Sequence, residues 1–265
     1  MTTTQKYALV TGATSGIGYE LAKLFAGAQY NLVIVARTID ALERVAAEFR
    51  STYQIEVLTI EKDLFNRDSP FEVYEEVKRH GIHIDVLVND AGQGQYGEFA
   101  ETDINREIGI IQLNIVAYVV LTKLFLKDML ANGEGKILNV SSIGAEVPGP
   151  LQSVYHATKA FVTSFTEAIR SEYKDKNITI TALEPGITDT DFFRKADQEE
   201  AKMVKEGSPA DPAKVAKDGF EALMSGDDKI VSGLKNKAMV ASSNVLPDST
   251  VADMMHKGME PSKDK

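Results

Sequence analysis

The 265-residue chain predicts one α/β domain: a doubly wound, seven-stranded, mostly parallel sheet with helices on both faces. Three observations carry that expectation. Short runs rich in Val, Ile and Leu alternate with longer segments of helical period. The runs lack polar alternation, as strands covered on both faces do. No internal repeat or low-complexity linker divides residues 1–265.

"YALVTG" (7–12) reads as the first buried strand, followed by a glycine-rich turn and a helix through "YELAKLFAGA". "NLVIVAR" (31–37) is the second strand. "TIDALERVAAEFRSTY" follows as a helix, with Leu42, Val45 and Phe49 at helical spacing. Strand-like "IEVLTIEKDL" (55–64) precedes "PFEVYEEVKRH" (70–80), a helix with proline at its start. "DVLVNDAG" (85–92) is the fourth strand. A long helical stretch over 103–131 leads to "GKILNVSS" (135–142) and then to a helix over 153–175. "ITITALEPG" (178–186) and "KIVSG" (229–233) complete the strands. Residues 187–212 are polar and end in "GSPADP", a substrate lid or a surface loop with a helix. The segment 234–265 reads as a polar C-terminal tail with a frayed end.

Composition narrows the function classes. With no cysteine, disulfides, cysteine-ligated zinc and thiol nucleophiles are excluded, and a cytoplasmic location is expected. The four histidines (His80, His83, His156 and His256) show no metal-binding spacing, so no metal is expected. A formal net charge of −10 with no dense basic run argues against a nucleic-acid partner. The most apolar segment, 108–126, is interrupted by Gln112, Asn114, Thr122 and Lys123. It reads as a buried helix instead of a membrane span.

"TGATSGIG" (11–18) sits between the first strand and the first helix, with Gly12, Gly16 and Gly18 in the spacing GxxxGxG. Glycines permit a tight turn and let a pyrophosphate approach the backbone, and the helix N-terminus adds free N–H groups and partial positive charge. The second strand ends in Ala36 and Arg37, without the carboxylate that grips the ribose diol of NAD. A guanidinium there suits a 2′-phosphate, with Thr38 as a second contact. NADPH is therefore expected over NAD; the alternative is that Arg37 is a solvated surface charge.

Three Tyr/Lys pairs stand four residues apart: Tyr19/Lys23, Tyr74/Lys78 and Tyr155/Lys159. Spacing alone does not choose among them. The ordered landmarks "TGATSGIG", "DL" (63–64), "NDAG" (89–92), Asn114, "NVSS" (139–142), "YHATK" (155–159) and "PGITDT" (185–190) do. Together, over residues 6 to about 233, the chain resembles the short-chain dehydrogenase/reductase family, in its single-domain NADP-preferring branch with a Rossmann-type sheet.

The resemblance implies a catalytic set of Asn114, Ser142, Tyr155 and Lys159. Tyr155 would exchange a proton with the carbonyl oxygen, its pKa lowered by Lys159 and the nicotinamide. Ser142 would hold the same oxygen, Lys159 the ribose hydroxyls, and Asn114 a water relay behind Lys159. Cofactor contacts carry over to Gly12, Thr14, Ser15, Gly16, Ile17, Gly18, Asp63, Leu64, Asn89, Ala91, Gly92, Tyr155, Lys159, Pro185, Gly186, Ile187, Thr188 and Thr190. Asp90 departs from the family's second asparagine, which puts local hydrogen bonding in doubt. Glu184 either shapes substrate choice or caps its strand facing solvent.

Tyr96, Val147, Phe192 and Phe193, with the loop 143–152, are candidate substrate-pocket residues, and their character suggests a hydrophobic ketone or aldehyde; "DFF" could equally anchor the lid. The expected function is an NADPH-dependent carbonyl reductase, reversible as an alcohol dehydrogenase, acting on a small molecule. The alternatives are a 3-oxoacyl-carrier-protein reductase or a non-catalytic NADP-sensing regulator. The family commonly forms homodimers and homotetramers through its long helices, and the apolar face around 110–121 would serve that role or the core.

Overall fold

A computed structural model describes residues 5–262 apart from Asn244. The chain runs β1 (Tyr7–Thr11), α1 (Gly16–Gly27), β2 (Asn31–Ala36), α2 (Ile39–Tyr53), β3 (Val57–Glu61), α3 (Ser69–Arg79) and β4 (Val86–Asn89). It continues α4 (Ile104–Ile111), a π-helical turn (Gln112–Val116), α5 (Ala117–Asn132), β5 (Gly135–Val140), a 3₁₀ turn (Ile143–Glu146), α6 (Ser153–Glu172) and β6 (Ile178–Glu184). The last elements are α7 (Phe192–Lys195), α8 (Lys202–Lys205), α9 (Pro212–Ser225), β7 (Lys229–Val231), α10 (Leu234–Ser243) and α11 (Asp248–Met259).

The seven strands form one sheet in the order β3-β2-β1-β4-β5-β6-β7, every pairing parallel. The chain winds outward from β1 to β3, then restarts on the other side at β4. The crevice beyond the C-terminal ends of β1 and β4 is therefore the switch point where open parallel sheets hold ligands. Alternate strand side chains feed two cores. Val10, Ile34 and Val88 pack with Phe25 and Phe49 from α1 and α2 on one face, and with Val215 of α9. Leu9, Val33 and Leu87 pack with Val73, Leu121 and Phe125 from α3 and α5 on the other. Burial on both sides explains why the strands read as continuous apolar runs.

Helix ends follow local chemistry. Asp103 caps α4 by accepting from Asn105 N, and Asp211 caps α9 by accepting from Ala213 N ahead of Pro212. Gly133 ends α5 with a left-handed φ of 83°. The helical run Ile104–Asn132 is long and apolar enough to cross a membrane by length and composition. In this fold one side of it faces the sheet core, where Leu113, Ala117, Leu121, Phe125 and Met129 are buried.

The C-terminal segment departs from expectation. Leu234–Ser243 and Asp248–Met259 form α10 and α11 where a polar tail is expected; residues 263–265 lie outside the described residues. Val251 and Met259 are buried, Lys202 N donates to Glu260 O at 3.0 Å, and Ala201 bridges Pro261. Val251, Met255 and Met259 recur every fourth position, a helical signal present in the sequence but diluted by the charged residues between them.

Candidate active site

One cavity of about 430 Å³ opens at the switch point. Its floor is the β1–α1 turn. Gly12 and Gly16 take φ of 73° and 59°, which L side chains rarely adopt. A Cβ on Gly18 would lie 2.4 Å from Asp90 Oδ2 and 2.6 Å from Gly12 O, so only glycine lets the turn close onto β4. Thr11 Oγ1 accepts from Asp90 N at 3.0 Å and Ala91 N at 3.1 Å, locking the two strand ends together. The first turn of α1 carries no acid, leaving its N–H groups and partial positive charge for an anion. This bare cradle, bordered by Thr14, Ser15 and Ile17, fits a dinucleotide pyrophosphate.

Arg37, Thr38, Asp63 and Leu64 line the same cavity, as do Ala91, Gly92, Pro185, Gly186, Ile187, Thr188 and Thr190. The Arg37 guanidinium lies 5.7 Å from the Phe65 ring centroid, a stacking that holds it at the rim. Asn89 is elsewhere, a correction to its expected cofactor contact. It is buried in the sheet, where Nδ2 donates to Asn139 Oδ1 at 2.9 Å and Thr122 Oγ1 at 3.1 Å. Gly18 likewise lies beneath the turn and does not line the cavity.

Tyr155, in the first turn of α6, projects into the cavity close to Ser142, the residue after the "NVS" at the end of β5. Ser142 Oγ also accepts from Gly144 N at 3.0 Å. The neighbouring Ser141 has a different partner set: its hydroxyl donates to Lys159 O at 2.9 Å and pairs with Thr163 at 2.8 Å. Alternate residues along a strand face opposite ways, which separates the two serines.

Lys159, one helical turn after Tyr155, is buried. Its Nζ donates to Val140 O at 2.8 Å and lies 5.9 Å from the Tyr155 ring centroid and 5.4 Å from that of Tyr118. Burial pulls its pKa down to about 8, against the opposing pull of Asp90. Burial likewise pushes Asp90 up to about 7, although Lys159 and the Gly18 N–H favour its charged form. Asp90 therefore keeps the local hydrogen bond by accepting from Gly18.

The Tyr155 hydroxyl is raised to about 12, mainly by burial; the Ser142 hydroxyl opposes this and Asp90 adds to it. The expected lowering rests on Lys159 and the nicotinamide together; Lys159 by itself does not produce it. The ammonium is bonded to Val140 O and faces a carboxylate, so the chain's own charges do not make the phenol acidic. The ring opens onto the cavity on one side, yet protein groups surround the rest of it, including Phe192 at 5.0 Å between centroids.

The other Tyr/Lys pairs are structural. Tyr19 stacks on Phe49 and donates to Glu48 at 2.7 Å. Tyr74 and Lys78 both reach Asp128, tying α3 to α5. Asn114 sits in the π-helical turn, behind the cavity wall. Its Nδ2 donates to Gln93 O at 2.9 Å and Thr158 Oγ1 at 3.0 Å, and its Oδ1 accepts from Gln93 N at 3.1 Å. It clamps the loop after β4 to α6 beside Lys159. Glu184 does not face solvent: it is buried, accepts from Thr163 Oγ1 at 2.9 Å, and has its pKa raised chiefly by burial.

Of the expected substrate-pocket residues, Val147, Phe192 and Phe193 line the cavity. Tyr96 does not; its hydroxyl donates to Met259 O at 2.6 Å and fastens the end of α11. Sequence reasoning reached Gln152 only as part of the loop 143–152, and Gln198 and Met203 only as part of the 187–212 segment; it missed Met239, Met255 and Met259, which also line the cavity. Gln198 Nε2 donates to Met259 Sδ at 3.2 Å, so α11 is bound to the 187–212 segment through the cavity itself. An orphaned buried amide group costs about 1–3 kcal/mol. Gln152 Nε2 and Gln198 Oε1 are both such orphans among the described residues.

Residues 6–201 match the family model described as short chain dehydrogenase. The very-long-chain 3-oxoacyl-CoA reductase-A of Danio rerio is 37% identical over 186 residues, which cover 68% of this chain and 57% of that protein. The chain thus spans less than two thirds of that relative's length. The NADP-dependent 3-hydroxy acid dehydrogenase of Schizosaccharomyces pombe is 31% identical over 220 residues, covering 80% of this chain and 84% of the other. Among solved structures, a 7beta-hydroxysteroid dehydrogenase superposes with a TM-score of 0.86 at 23% identity, covering 95% of this chain and 96% of that one, a likeness of fold alone. A short-chain dehydrogenase from Sphingobium yanoikuyae in complex with NADPH gives 0.81 at 25% identity, covering 91% and 94%. With its glycine cradle, its Ser142–Tyr155 contact and a family match over most of its length, the chain belongs to the short-chain dehydrogenase family.

Proposed function

We propose that the protein is an NADP(H)-dependent oxidoreductase that interconverts an apolar ketone or aldehyde with its alcohol. The convergence of Tyr155, Ser142 and Lys159 on the cavity that holds the glycine cradle carries this reading. The bound nicotinamide supplies or accepts the hydride. The backbone of the β1–α1 turn holds the pyrophosphate, and Arg37 pairs with the 2′-phosphate. In reduction, Tyr155 donates its proton to the carbonyl oxygen and Ser142 donates a hydrogen bond to the same atom, stabilising the alkoxide as it forms. Lys159 holds the ribose. Asn114 acts as a positioning residue, fixing the Gln93 backbone and Thr158 around Lys159.

Val147, Phe192, Phe193 and the four methionines favour a bulky apolar substrate, because thioether side chains adapt to irregular shapes. The 187–212 segment and α11 act as the lid. The exposed Ile104, Ile108 and Ile111 of α4 and Phe161 of α6 support pairing of two copies. The absence of cysteine supports a cytoplasmic location. The names of the zebrafish and fission-yeast relatives favour a second reading, in which the substrate carries an acyl or acid group beyond its carbonyl.

The test is NADPH oxidation against a panel of ketones and aldehydes, run in parallel with NADH. Turnover with NADPH is expected, and Arg37→Ala should weaken NADPH binding tenfold or more while NADH binding changes little. Equal losses for both nucleotides refute the clamp. Nucleotide binding without turnover of any carbonyl would favour a sensing role instead.

A further inference from the structure

Glu184 ends β6 immediately before Pro185 and Gly186 of the cavity, and its side chain is buried. Three carboxyl groups there share the Lys229 ammonium. Lys229 Nζ, on β7, stands 2.9 Å from Glu146 Oε1 in the 3₁₀ turn, 3.3 Å from Glu167 Oε1 of α6 and 3.9 Å from Glu184 Oε1. The side chains of Glu146 and Glu167 are 18% and 51% exposed, that of Glu184 0%. The ammonium thus lies nearest the two carboxylates that water also reaches and farthest from the one that water does not. Glu184 Oε2 has no hydrogen-bond partner among the described residues, a costly place for a full negative charge.

The hydrogen bonds inward of Glu184 are one proton short if it is ionised. From Glu184 Oε1 a row of oxygens runs to Thr163 Oγ1 at 2.9 Å, on to Ser141 Oγ at 2.8 Å and then to the backbone oxygen of Lys159 at 2.9 Å. All three contacts have hydrogen-bond length. Each hydroxyl supplies one proton and the carbonyl supplies none. An ionised Glu184 accepts from Thr163 and leaves one of the other two contacts as lone pairs face to face. A carboxylic acid at the head of the row supplies the third proton. Every bond then points one way: Glu184 to Thr163, Thr163 to Ser141, Ser141 to Lys159 O. Burial, with the nearby Glu146 charge, raises the pKa of Glu184 toward that form, against the pull of Lys229 and Thr163.

We propose that Glu184 is a positioning residue that acts as a neutral carboxylic acid, its proton completing the chain through Thr163 and Ser141 that holds the Lys159 turn of α6 against the end of β5. Ser142 follows Ser141 directly in the backbone, so one buried proton steadies both Lys159 and Ser142. Loss of that proton at alkaline pH leaves a charge in a dry site and removes one bond from the row, which loosens the two groups beside Tyr155. The inference rests on the oxidoreductase reading and adds to it a residue that touches neither substrate nor nucleotide.

Two variants test this. Glu184→Gln keeps the shape and donates to Thr163 through its amide at every pH; Thr163→Val breaks the chain and leaves Glu184 in place. NADPH-dependent reduction of a ketone is followed for both and for the unaltered protein from pH 6 to pH 9. At pH 6, Glu184→Gln is expected within threefold of the unaltered kcat and Thr163→Val tenfold or more below it, with KM for NADPH changed less than threefold in each. The kcat of Glu184→Gln relative to that of the unaltered protein should rise at least threefold between pH 6 and pH 9, because only the glutamate loses its proton. Infrared spectra of the nucleotide-free proteins read the acid directly: at pH 6 the unaltered protein should show a protonated-carboxyl band that Glu184→Gln removes. A kcat ratio that stays flat with pH would overturn the assignment, as would an acid band unchanged in Glu184→Gln or an unaltered kcat in Thr163→Val. If the unaltered protein reduces no carbonyl, the oxidoreductase reading fails and the positioning role with it, while the infrared band still reports whether Glu184 carries the proton.

Discussion

The Lys159 ammonium stands 2.8 Å from the carbonyl oxygen of Val140, the last residue of β5. That bond joins α6 to the sheet at the strand end from which Ser141 and Ser142 depart. It also occupies one of the lysine's three donors, leaving two for a ribose. The cation is thereby fixed between the strand that carries the serine and the helix that carries the tyrosine.

With the protein's own groups around it, the Tyr155 hydroxyl is protonated at neutral pH, its pKa raised to about 12. Reduction should therefore show no loss attributable to tyrosine ionisation between pH 6 and 8, while alcohol oxidation, which needs the phenolate, should rise with pH. Tyr155→Phe should lower turnover by about 10²–10⁴-fold and leave nucleotide affinity within a few-fold, measured by steady-state kinetics and fluorescence titration. Retention of a tenth of the activity would remove Tyr155 from the chemistry.

Asp90 costs stability in its ionised form. Its folded pKa of about 7 lies above the unfolded carboxylate range, so the native state binds the extra proton between the two values. Its contribution is most favourable at pH below the unfolded pKa and is lost as pH rises through 7. Asp90→Asn should therefore stabilise the protein by about 1–3 kcal/mol more at pH 8 than at pH 4. Urea unfolding at the two pH values checks this; a larger gain at pH 4 would contradict it.

Gly18→Ala places a methyl group where Asp90 Oδ2 and the Gly12 carbonyl already stand. The β1–α1 turn must move away from β4 to admit it. A loss of about 1–3 kcal/mol is expected, with NADPH affinity falling at least tenfold. Thermal melts with and without nucleotide measure both effects, and a variant with unchanged affinity would show that the turn does not hold the ligand.

Tyr96→Phe removes one hydrogen bond, from the hydroxyl to Met259 O. The global cost should be about 1 kcal/mol, but the local consequence is larger because that bond secures the end of α11 over the cavity. Limited proteolysis should cut the segment after 234 faster, and KM for bulky substrates should change more than kcat. Unchanged cleavage would mean that the other anchors of α11, among them the bond from Lys202 N to Glu260 O, hold it without Tyr96.

Much of the fold was legible because local patterns and tertiary burial agree. All seven strand runs are strands of the one sheet, each within a few residues of its expected limits. The cavity gathers Arg37, Asp63, Ser142, Tyr155 and Lys159 with Pro185, Gly186, Ile187, Thr188 and Thr190, residues drawn from well-separated stretches of the sequence. What escaped was the closure of the site. The charged residues of 234–259 concealed a four-residue recurrence of apolar side chains.

The sequence by itself determined the parallel sheet, the glycine turn at its switch point and the identity of the chemical side chains, because each depends on short-range spacing or on backbone freedom. Tertiary structure alone decided that Asn89 belongs to the sheet core, that Tyr96 fastens α11, that Glu184 is buried, that Asp90 faces Lys159, and that burial keeps the tyrosine weakly acidic. Those outcomes depend on which distant groups share a low-dielectric space, and desolvation is a property of the packed whole rather than of any short stretch of chain.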